Sequence, residues 1–333
     1  MGKTSNRPLL DIRELSVRFE TDSGIVHAVN DLNLTLQSGK ALGFVGETGA
    51  GKTTTALAVL QLIQSPPGVI EKGEIYFEGQ DILRMSELER RQMRGSQISM
   101  IFQDPMTSLN PIMTVEDQIM EMLSLHASEG VKVRLEQAHE MLSLVGIQPD
   151  RGKEYPHQFS GGMRQRVGIA IALACKPALL IADEPTTALD VTIQAQVIDL
   201  IKNLQKKVNT SLLLITHDLG IVAEICDDVA IMYAGRLVEY GPICTLYENP
   251  LHPYTQGLFD AVPRLDSTPG GRLSVIPGRM PDPTDLPTGC RFSPRCFWAK
   301  EICHNTPCGM REYEPNHFVD CYFPINRKEG TSP

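Results

Sequence analysis

The sequence predicts an α/β domain followed by a smaller, loop-rich C-terminal extension. Two observations predict the domain: apolar strand-like segments alternate with amphipathic helical segments, and a glycine-rich loop lies between a buried strand and a helix. A third observation marks the extension, because 14 of the 23 prolines fall within residues 242–333, where regular periodicity ends. We therefore expect an α/β domain at residues 7–241 and an extension at residues 242–333.

The predicted elements follow one another along the first domain. Alternating apolar residues indicate antiparallel strands near Leu15–Phe19 and Leu32–Leu36, and a short apolar run predicts a buried strand at Lys40–Val45. A helix is expected from Lys52 to about Ile63, before two prolines. The other expected segments are a strand at Gly73–Gly79, helices at Val115–Leu125 and Val133–Val145 within a helical region at 106–157, strands at Ala178–Ala182 and Ser211–Thr216, a helix at Ile193–Lys206, and a short helix at Tyr254–Val262.

Composition restricts the class of protein. The chain has 333 residues, 42% hydrophobic and 21% charged, which is typical of a globular protein long enough for two domains. Its longest apolar runs are far shorter than the roughly 20 residues of a membrane-spanning helix, and its N-terminus lacks the apolar segment of a secretion signal. The net charge of −9, with no basic block, argues against nucleic acid as the main partner.

Residues 46–53, GETGAGKT, match the phosphate-loop pattern G-x-x-x-x-G-K-[ST]. Glycines let backbone N–H groups converge on phosphate oxygens, and the helix that begins at Lys52 directs its positive end at the same anion. Lys52 would reach the β- and γ-phosphates of a nucleotide, and the Thr53 hydroxyl would bind Mg²⁺. A ligand-free glycine-rich turn is disfavoured by the four fixed positions. The residues expected to contact the nucleotide are Gly46, Glu47, Thr48, Gly49, Ala50, Gly51, Lys52, Thr53 and Thr54.

Polar residues follow other apolar runs. Asp183 and Glu184 end LLIADE, and strand geometry places them at the sheet edge where nucleotides bind in open α/β folds. Asp183 suits the outer sphere of Mg²⁺, and Glu184 can be the general base that activates water. His217, after SLLLIT, can contact the γ-phosphate, and Gln103, in IFQDP, can ligate Mg²⁺. The alternatives are a structural histidine and an ordinary turn glutamine.

A second helix start has the features of an anion site. Ser160 can cap the helix that follows in FSGGMRQR, and Gly161 and Gly162 leave its N–H groups bare. One nucleotide needs only one such helix end. The second therefore suggests a site that is shared with a partner molecule.

Together these segments resemble one known family. GETGAGKT, IFQDP, FSGGMRQRV, LLIADEP, TALD and ITHD, in this order, look like the Walker A, Q-loop, signature, Walker B, D-loop and H-loop of the ATP-binding-cassette (ABC) ATPases. The resemblance implies a P-loop NTPase cassette over residues 7–241. Such a cassette has a mixed core sheet, an antiparallel β subdomain and a helical subdomain, here at about residues 106–164.

The resemblance also implies roles for further residues. In this family two cassettes enclose two ATP molecules, which implies that Ser160, Gly161 and Gly162 contact the ATP of the partner subunit and that Asp190 of the D-loop couples the two sites. The family stacks adenine on an aromatic residue of the first strand, and Phe19 is the best candidate, with a buried core phenylalanine as the alternative. Since every motif residue for hydrolysis is present, we expect an active ATPase.

Five cysteines crowd into the extension. Cys290, Cys296, Cys303 and Cys321 follow the spacing C-x5-C-x6-C-x17-C, and Cys308 lies among them. Without a secretion signal, a metal site is favoured over disulfides. Four thiolates suit either zinc or a [4Fe–4S] cluster, and the residues alone do not decide between them.

The extension has a resemblance of its own. The runs NPLHPYTQGLFDAVP and IPGRMPDPTDLPTGCRFSPRC are similar to the C-terminal extension of dipeptide and oligopeptide importer ATPases. In those proteins four cysteines at this spacing can hold an iron–sulfur cluster, which implies a [4Fe–4S] cluster on the four cysteines, with Cys308 as a bystander. A zinc site that includes His304 or His317 is the alternative.

The two resemblances together imply an ATP-hydrolysing subunit of a dipeptide or oligopeptide importer at the cytoplasmic face of the cell membrane. The implied partners are a second ABC ATPase, with a heterodimer favoured over a homodimer, two separate membrane permease subunits and an extracytoplasmic substrate-binding protein. The alternatives are an importer of another small solute, a soluble ABC ATPase that acts on nucleic acid or ribosomes, and an exporter. The single cassette and the acidic charge disfavour a nucleic-acid partner.

Overall fold

The computed structural model describes residues 7–104, 108–126, 129–187, 189–262 and 275–326. The chain divides into two compact units, each assembled from separate stretches of sequence. The first unit consists of Leu36–Ala41, Phe77–Ile215 and the residues up to Leu9; the second consists of Leu10–Thr35, Leu42–Tyr76 and the chain from Thr216.

Strands and helices alternate along much of the chain. In chain order they are β1 (Leu10–Thr21), β2 (Gly24–Leu36), β3 (Ala41–Val45), α1 (Lys52–Val59), β4 (Gly68–Phe77), β5 (Gln80–Asp81), α2 (Glu87–Met93), β6 (Ile98–Ile101), α3 (Val115–His126), α4 (Val131–Leu144), α5 (Gly161–Leu173), β7 (Leu179–Asp183), α6 (Val191–Val208), β8 (Ser211–Thr216), α7 (Leu219–Ile225), β9 (Asp228–Tyr233), β10 (Arg236–Pro242), α8 (Ile243–Glu248), α9 (Pro253–Asp260), α10 (Glu301–Asn305), β11 (Arg311–Glu314) and β12 (His317–Val319). Within the described ranges, no helix is both long and apolar enough to cross a lipid bilayer.

The second unit contains two sheets. One has the order β2-β1-β4, and the two-residue connection between β1 and β2 requires that pair to be antiparallel. The other has the order β11-β12-β10-β9-β3, in which β3 is parallel to β9 and the other neighbours are antiparallel. All five residues of β3 are buried, which explains why its sequence is apolar throughout. The prediction of a mixed sheet is confirmed, and the antiparallel pair of β1 and β2 lies in a separate sheet, as expected.

The first unit holds β6, β7 and β8 as parallel neighbours, with Asp183 at the end of β7 opposite Ile215 of β8. Every residue of β7 and β8 is buried. Helices α3, α4 and α5 pack on one another and bury Ile119, Leu142 and Val167 respectively. The amphipathic patterns of α3 and α4 agree with this packing, because the residues that these helices bury are mostly apolar.

The predicted elements differ from the observed ones mainly at their ends. The helix expected to reach Ile63 ends at Val59. Leu60 caps it, and Gln61 has a φ of 54°, a left-handed conformation that a helix cannot continue through. The strand expected at residues 73–79 begins earlier, at Gly68. The prolines after the helix therefore lie well beyond its true end.

The extension contains strands that no periodic pattern indicates. In β12, Val319 pairs with Glu239 of β10 and Phe318 pairs with Tyr240, so the extension adds strands to the sheet that contains β3. Strands of three or four residues are too short to show an alternating pattern. The domain boundary between residues 241 and 242 stays a prediction, and residue 106 and the last residues, 327–333, of the predicted ranges lie outside the described residues.

Candidate nucleotide site and cysteine cavity

The glycine-rich loop connects β3 to α1 in the second unit, the strand–loop–helix order that its sequence predicts. Gly51 precedes α1 with a φ of 103°, and a Cβ atom there would lie 2.3 Å from the carbonyl oxygen of Ala28. A Cβ atom on Gly46 would lie 2.1 Å from the carbonyl oxygen of Met232. Backbone packing therefore requires glycine at both positions, independently of any ligand.

Lys52 is buried, and its ammonium group folds over the loop. Its Nζ donates to the carbonyl oxygens of Gly46 at 2.7 Å and Glu47 at 3.0 Å. Gly51, the N-cap of α1, has no side chain to bond the first N–H groups of the helix, and Thr53 in the first turn is exposed. A lysine ammonium beside an uncapped helix start makes a positive site suited to phosphate.

The two predicted carboxylates lie at the carboxyl end of β7 in the first unit. Asp183 is the last residue of the strand and is buried. Glu184 has a φ of 45°, a left-handed conformation that is strained for a residue with a side chain. Its N–H donates to the carbonyl oxygen of Ile215 at 2.8 Å, which holds the turn in place. Strained backbone of this kind is concentrated at functional sites.

A hydrogen bond joins Gln103 to Glu184, two residues that belong to separate sequence motifs. Gln103 Nε2 donates to Glu184 Oε2 at 2.8 Å, and Thr187 Oγ1 donates to the same carboxylate oxygen at 2.9 Å. The predicted Mg²⁺ ligand and the predicted base therefore meet in the first unit. Sequence reasoning missed Thr187, although its position three residues after Glu184 in the segment DEPTTALD was a usable signal.

The second predicted anion site also lies in the first unit. Ser160 is the N-cap of α5, as expected, and its hydroxyl accepts a backbone N–H at 3.4 Å. A Cβ atom on Gly161 would have no described atom within 4 Å, whereas one on Gly162 would lie 2.5 Å from Ile193 Cγ2. Asp190 caps α6 by accepting the N–H of Ile193 at 3.0 Å. The signature and D-loop residues are thus packed together through Ile193.

His217 and Phe19 belong to the second unit. His217 is exposed and comes directly after Thr216, the last residue of β8. Asp218 caps α7, accepting a backbone N–H at 2.8 Å, and so fixes the turn that carries His217. Phe19 is partly buried on β1, and its ring lies beside Gly68, where a Cβ atom would meet Phe19 Cε1 at 2.9 Å. Stacking of adenine on Phe19 stays a prediction.

Glu47 of the loop is held by residues that no motif indicates. Its carboxylate accepts hydrogen bonds from Arg295 Nη1 at 2.9 and 3.1 Å, and its N–H donates to the Tyr254 hydroxyl at 3.0 Å. The same Arg295 Nη1 donates to the Tyr233 hydroxyl at 3.2 Å. These partners are separated from Glu47 by roughly 200 residues, and contacts at such separation leave no local pattern in a sequence.

The contacts of Arg295 keep its guanidinium charged. Burial by itself would lower the pKa of Arg295, but its hydrogen bonds to Tyr233 and Glu47 and the negative charge of Glu47 hold it above its ordinary value. Burial also raises the pKa of the Tyr254 phenol, which therefore stays protonated at neutral pH. The link between Arg295 and Glu47 is consequently a charge-assisted hydrogen bond in a largely buried place.

The clustered cysteines surround one small cavity of about 20 Å³ in the second unit. Aromatic side chains, among them Phe292 and Trp298, complete its wall together with His252. The five cysteines that line it are Cys290, Cys296, Cys303, Cys308 and Cys321. All are free thiols. The fold thus brings together the four predicted ligands, and it places Cys308 at the same cavity.

For three of these thiols, the backbone N–H two residues later acts to lower the pKa. The pairs are Cys290 with Phe292, Cys296 with Trp298, and Cys321 with Phe323. Burial acts in the opposite direction and dominates, raising the pKa of Cys290 to about 11 and that of Cys321 to about 12. Without a cation these thiols are therefore protonated at neutral pH.

A metal site is not evident from the side-chain arrangement. Among the residues that the structure describes, no group of three or more His, Cys, Asp or Glu side chains could hold a metal ion. The metal-binding character expected of the extension thus gains no support from this criterion. His317 donates or accepts at Nε2 with Glu239 Oε1, 2.7 Å away, and lies outside the lining of the cysteine cavity, as does His304. This arrangement disfavours the mixed Cys/His zinc site.

Two family models match the sequence. Residues 29–187 match the model described as "ABC transporter", and residues 238–303 match "Oligopeptide/dipeptide transporter, C-terminal region".

Curated relatives match over nearly their whole length. The oligopeptide transport ATP-binding protein OppD of Salmonella typhimurium is 50% identical over 319 residues, 95% of this chain and 94% of that protein. OppD of Haemophilus influenzae is 52% identical over 303 residues, 90% and 93%. OppD of Bacillus subtilis is 49% identical over 313 residues, 93% and 87%.

Solved structures share the fold. The ATP-binding cassette MJ0796, a dimer in a post-hydrolysis state bound to ADP and phosphate, superposes with a TM-score of 0.63 at 24% identity, covering 70% of this chain and 98% of that chain. The cbiO1 protein from Clostridium perfringens, part of the ABC transporter complex cbiONQ, gives a TM-score of 0.63 at 26% identity, covering 72% and 91%.

Proposed function

The chain belongs to the ATP-binding proteins of ABC transporters, in the branch of the oligopeptide transport ATP-binding proteins, and we propose that it hydrolyses ATP to power the import of dipeptides or oligopeptides through separate permease subunits. It is an ABC-type ATP hydrolase. The observation that carries this function is the identity of about half of all residues with oligopeptide transport ATP-binding proteins over 95% of the chain. The formed phosphate loop supplies the corresponding chemistry.

In this proposal the phosphate loop, Gly46 to Thr54, binds ATP. Lys52 exchanges its bonds to the loop carbonyl oxygens for bonds to phosphate oxygens, and the uncapped N–H groups of α1 bind the same anion. Phe19 is proposed to stack on the adenine. The bonds of Lys52 to the loop and the uncapped start of α1 support the first two roles.

The residues expected at Mg²⁺ fit that ion, because Thr53 offers a hydroxyl, Gln103 an amide oxygen and Asp183 a carboxylate for the outer sphere, and Mg²⁺ prefers oxygen groups. When bound, Mg²⁺ neutralises charge on the phosphates. Glu184 takes the proton of the attacking water, and His217 positions the γ-phosphate. Since Gln103 Nε2 donates to Glu184 at 2.8 Å, any change in the partner of Gln103 also changes the environment of the base.

We also propose that the working unit is a dimer of cassettes. Ser160, Gly161 and Gly162 of one chain complete the ATP site of its partner, and Asp190 couples the two sites. The open space around Gly161 and the packing of Gly162 on Ile193 support an exposed but firmly held contact surface. The partner is a second ABC ATPase, with a heterodimer favoured, at the cytoplasmic face of the membrane. Two permease subunits and an extracytoplasmic substrate-binding protein complete the transporter.

We propose that the cassette spans residues 7–241, with a helical subdomain at about 106–164, and that the extension spans residues 242–333. For the extension we propose a [4Fe–4S] cluster. Its ligands are Cys290, Cys296, Cys303 and Cys321. Each iron of such a cluster takes a thiolate of its own, so the four sulfurs need not converge on one point as they do around a single ion. All four cysteines line one cavity, and aromatic side chains complete its wall, which supports this proposal. Zinc is the alternative metal.

Metal analysis of two matched variants tests the cluster. In protein purified without oxygen, we expect iron and labile sulfide in the wild type and in Cys308→Ser, and their loss in Cys321→Ser. Zinc in place of iron would support the alternative metal. Retention of the metal in Cys321→Ser together with its loss in Cys308→Ser would make Cys308 the fourth ligand.

Uptake of labelled peptides tests the transport function. In cells that lack this chain, peptide uptake should fall and should return with the wild-type chain but not with Glu184→Gln. Unchanged peptide uptake together with lost uptake of another solute would identify a different importer. Stimulation of the ATPase by DNA or ribosomes, with transport unaffected, would favour the soluble alternative.

A further inference from the structure

Arg295 connects the cysteine-bearing segment to the phosphate loop. It ends the short 3-10 turn Ser293–Arg295 and comes directly before Cys296 in the chain. Its side chain is only 6% exposed, and its Nη1 donates to both carboxylate oxygens of Glu47, at 2.9 and 3.1 Å. Its other nitrogens donate to carbonyl oxygens of the extension, at 2.9 Å to Pro277 and 3.3 Å to Ile276. The guanidinium is therefore fixed from both sides.

An aromatic cluster supports this arrangement. The rings of Tyr233, Tyr254 and Phe292 pack on one another with centroids 4.6 to 5.4 Å apart. The Arg295 guanidinium lies over Tyr233 at 5.7 Å and over Phe292 at 5.9 Å. Phe292 also lines the cysteine cavity. Thus the same three rings touch the arginine, the cavity and, through the Tyr254 hydroxyl, the backbone of Glu47.

Glu47 is consequently held at three different groups. Arg295 binds its carboxylate, Tyr254 binds its N–H, and Lys52 binds its carbonyl oxygen. Of these three partners only Lys52 belongs to the loop itself. Since Glu47 is the second residue of the loop, fixing it limits the paths that the backbone can take between Gly46 and Gly49. A loop that is already ordered loses less conformational entropy when it binds phosphate.

We propose that Arg295 is a positioning residue for ATP binding, which holds Glu47 and, through it, the phosphate loop in the conformation that receives the phosphates. The inference rests on the proposed binding of ATP at this loop. It makes the cysteine-bearing segment part of the nucleotide site, because Arg295 and Cys296 are consecutive and Phe292 touches both the arginine and the cavity.

The test is ATP binding by calorimetry and steady-state ATPase kinetics in the full-length protein. Arg295→Met retains the length of the side chain and removes its charge, and it should weaken ATP binding about 10-fold. The KM for ATP should rise while kcat changes little, because Arg295 does not touch the reacting atoms. Arg295→Lys, which keeps the charge, should recover part of the affinity. Arg311→Met, a change at an exposed arginine of the same extension, is the matched control and should bind ATP as the wild type does.

A double-mutant cycle distinguishes positioning from general destabilisation. Glu47→Gln should weaken ATP binding as Arg295→Met does, and the double variant should be no weaker than either single one. Additive losses, or unchanged affinity in Arg295→Met, would overturn the proposal. If Arg295→Met does not fold, Arg295→Lys and Glu47→Gln decide: wild-type affinity in both would overturn it. Failure of the wild type to bind ATP would instead overturn the proposed function.

Discussion

The two helix starts that carry glycine-rich motifs differ in how they are held. At α1, side chains on Gly46 or Gly51 would collide with backbone carbonyls, and contacts from the extension fix Glu47. At α5, a side chain on Gly161 would meet no described atom within 4 Å, and Ser160 is exposed. The contacts that hold the first start all come from its own unit. At the second start, Gly162 packs on Ile193 while Ser160 and the space around Gly161 stay accessible, as expected of a surface that contacts a partner.

The largest effect is expected where the chemistry occurs. Glu184→Gln keeps the shape of the base and removes its ability to take a proton, so kcat for ATP hydrolysis should fall by about 10²- to 10⁴-fold. ATP binding at α1 should persist, since the base does not belong to the phosphate loop. Steady-state hydrolysis and calorimetry measure the two properties separately. Full ATPase activity in this variant would disprove the assignment of Glu184.

Removing the charge from the first helix start should produce the next largest effect. Lys52→Ala deletes the buried ammonium that faces the loop, and the Kd for ATP should rise by about 100-fold, as expected for the loss of charge-assisted bonds to phosphate. Lys202→Ala, on α6 of the other unit, serves as a control of the same residue type. Equal ATP affinity in the wild type and Lys52→Ala would contradict a nucleotide site at α1.

A matched pair of glycine substitutions compares the two helix starts directly. Gly51→Ala forces a Cβ atom toward the Ala28 carbonyl at a φ of 103°, and should lower the free energy of unfolding by about 2 kcal/mol or more. Gly161→Ala adds a methyl group in open space at the first helical position, and should be neutral or stabilise by up to about 1 kcal/mol. Urea unfolding measures both. If Gly51→Ala and Gly161→Ala lowered the free energy of unfolding equally, the two helix starts would not differ in how tightly they are packed.

A smaller loss of stability than that of Gly51→Ala is expected from removing the cap of α5. Ser160→Ala removes one 3.4 Å hydrogen bond and should cost about 1 kcal/mol in the free energy of unfolding. The rate of ATP hydrolysis by the dimer should fall by more than this loss of stability explains, because the partner's ATP loses a contact. ATP binding to the single chain should be unchanged. If Ser160→Ala weakened ATP binding to the single chain, Ser160 would belong to the ATP site of its own chain and not to that of the partner.

Local patterns predicted much of the fold and both helix starts. The phosphate loop, the apolar strands β3, β7 and β8, and the cap at Ser160 each depend on a few consecutive residues, so the sequence alone indicates them. The hydrogen bond between Arg295 and Glu47 joins residues that are 248 positions apart. The same Arg295 nitrogen also donates to Tyr233, the last residue of β9. The hydrogen bond between Gln103 and Glu184 likewise joins motifs that are 81 residues apart. Such contacts become visible only in three dimensions.

The central claim is that α1 forms a nucleotide site within one chain while α5 completes the site of a partner. Sedimentation of Glu184→Gln with and without ATP, alone and mixed with the second ATPase of the transporter, tests it most directly. ATP should bind and shift the protein to a dimer, and adding Ser160→Ala should weaken the dimer without changing ATP binding by the single chain. Bound ATP with no dimer in any mixture, or a dimer that is indifferent to Ser160→Ala, would contradict the claim.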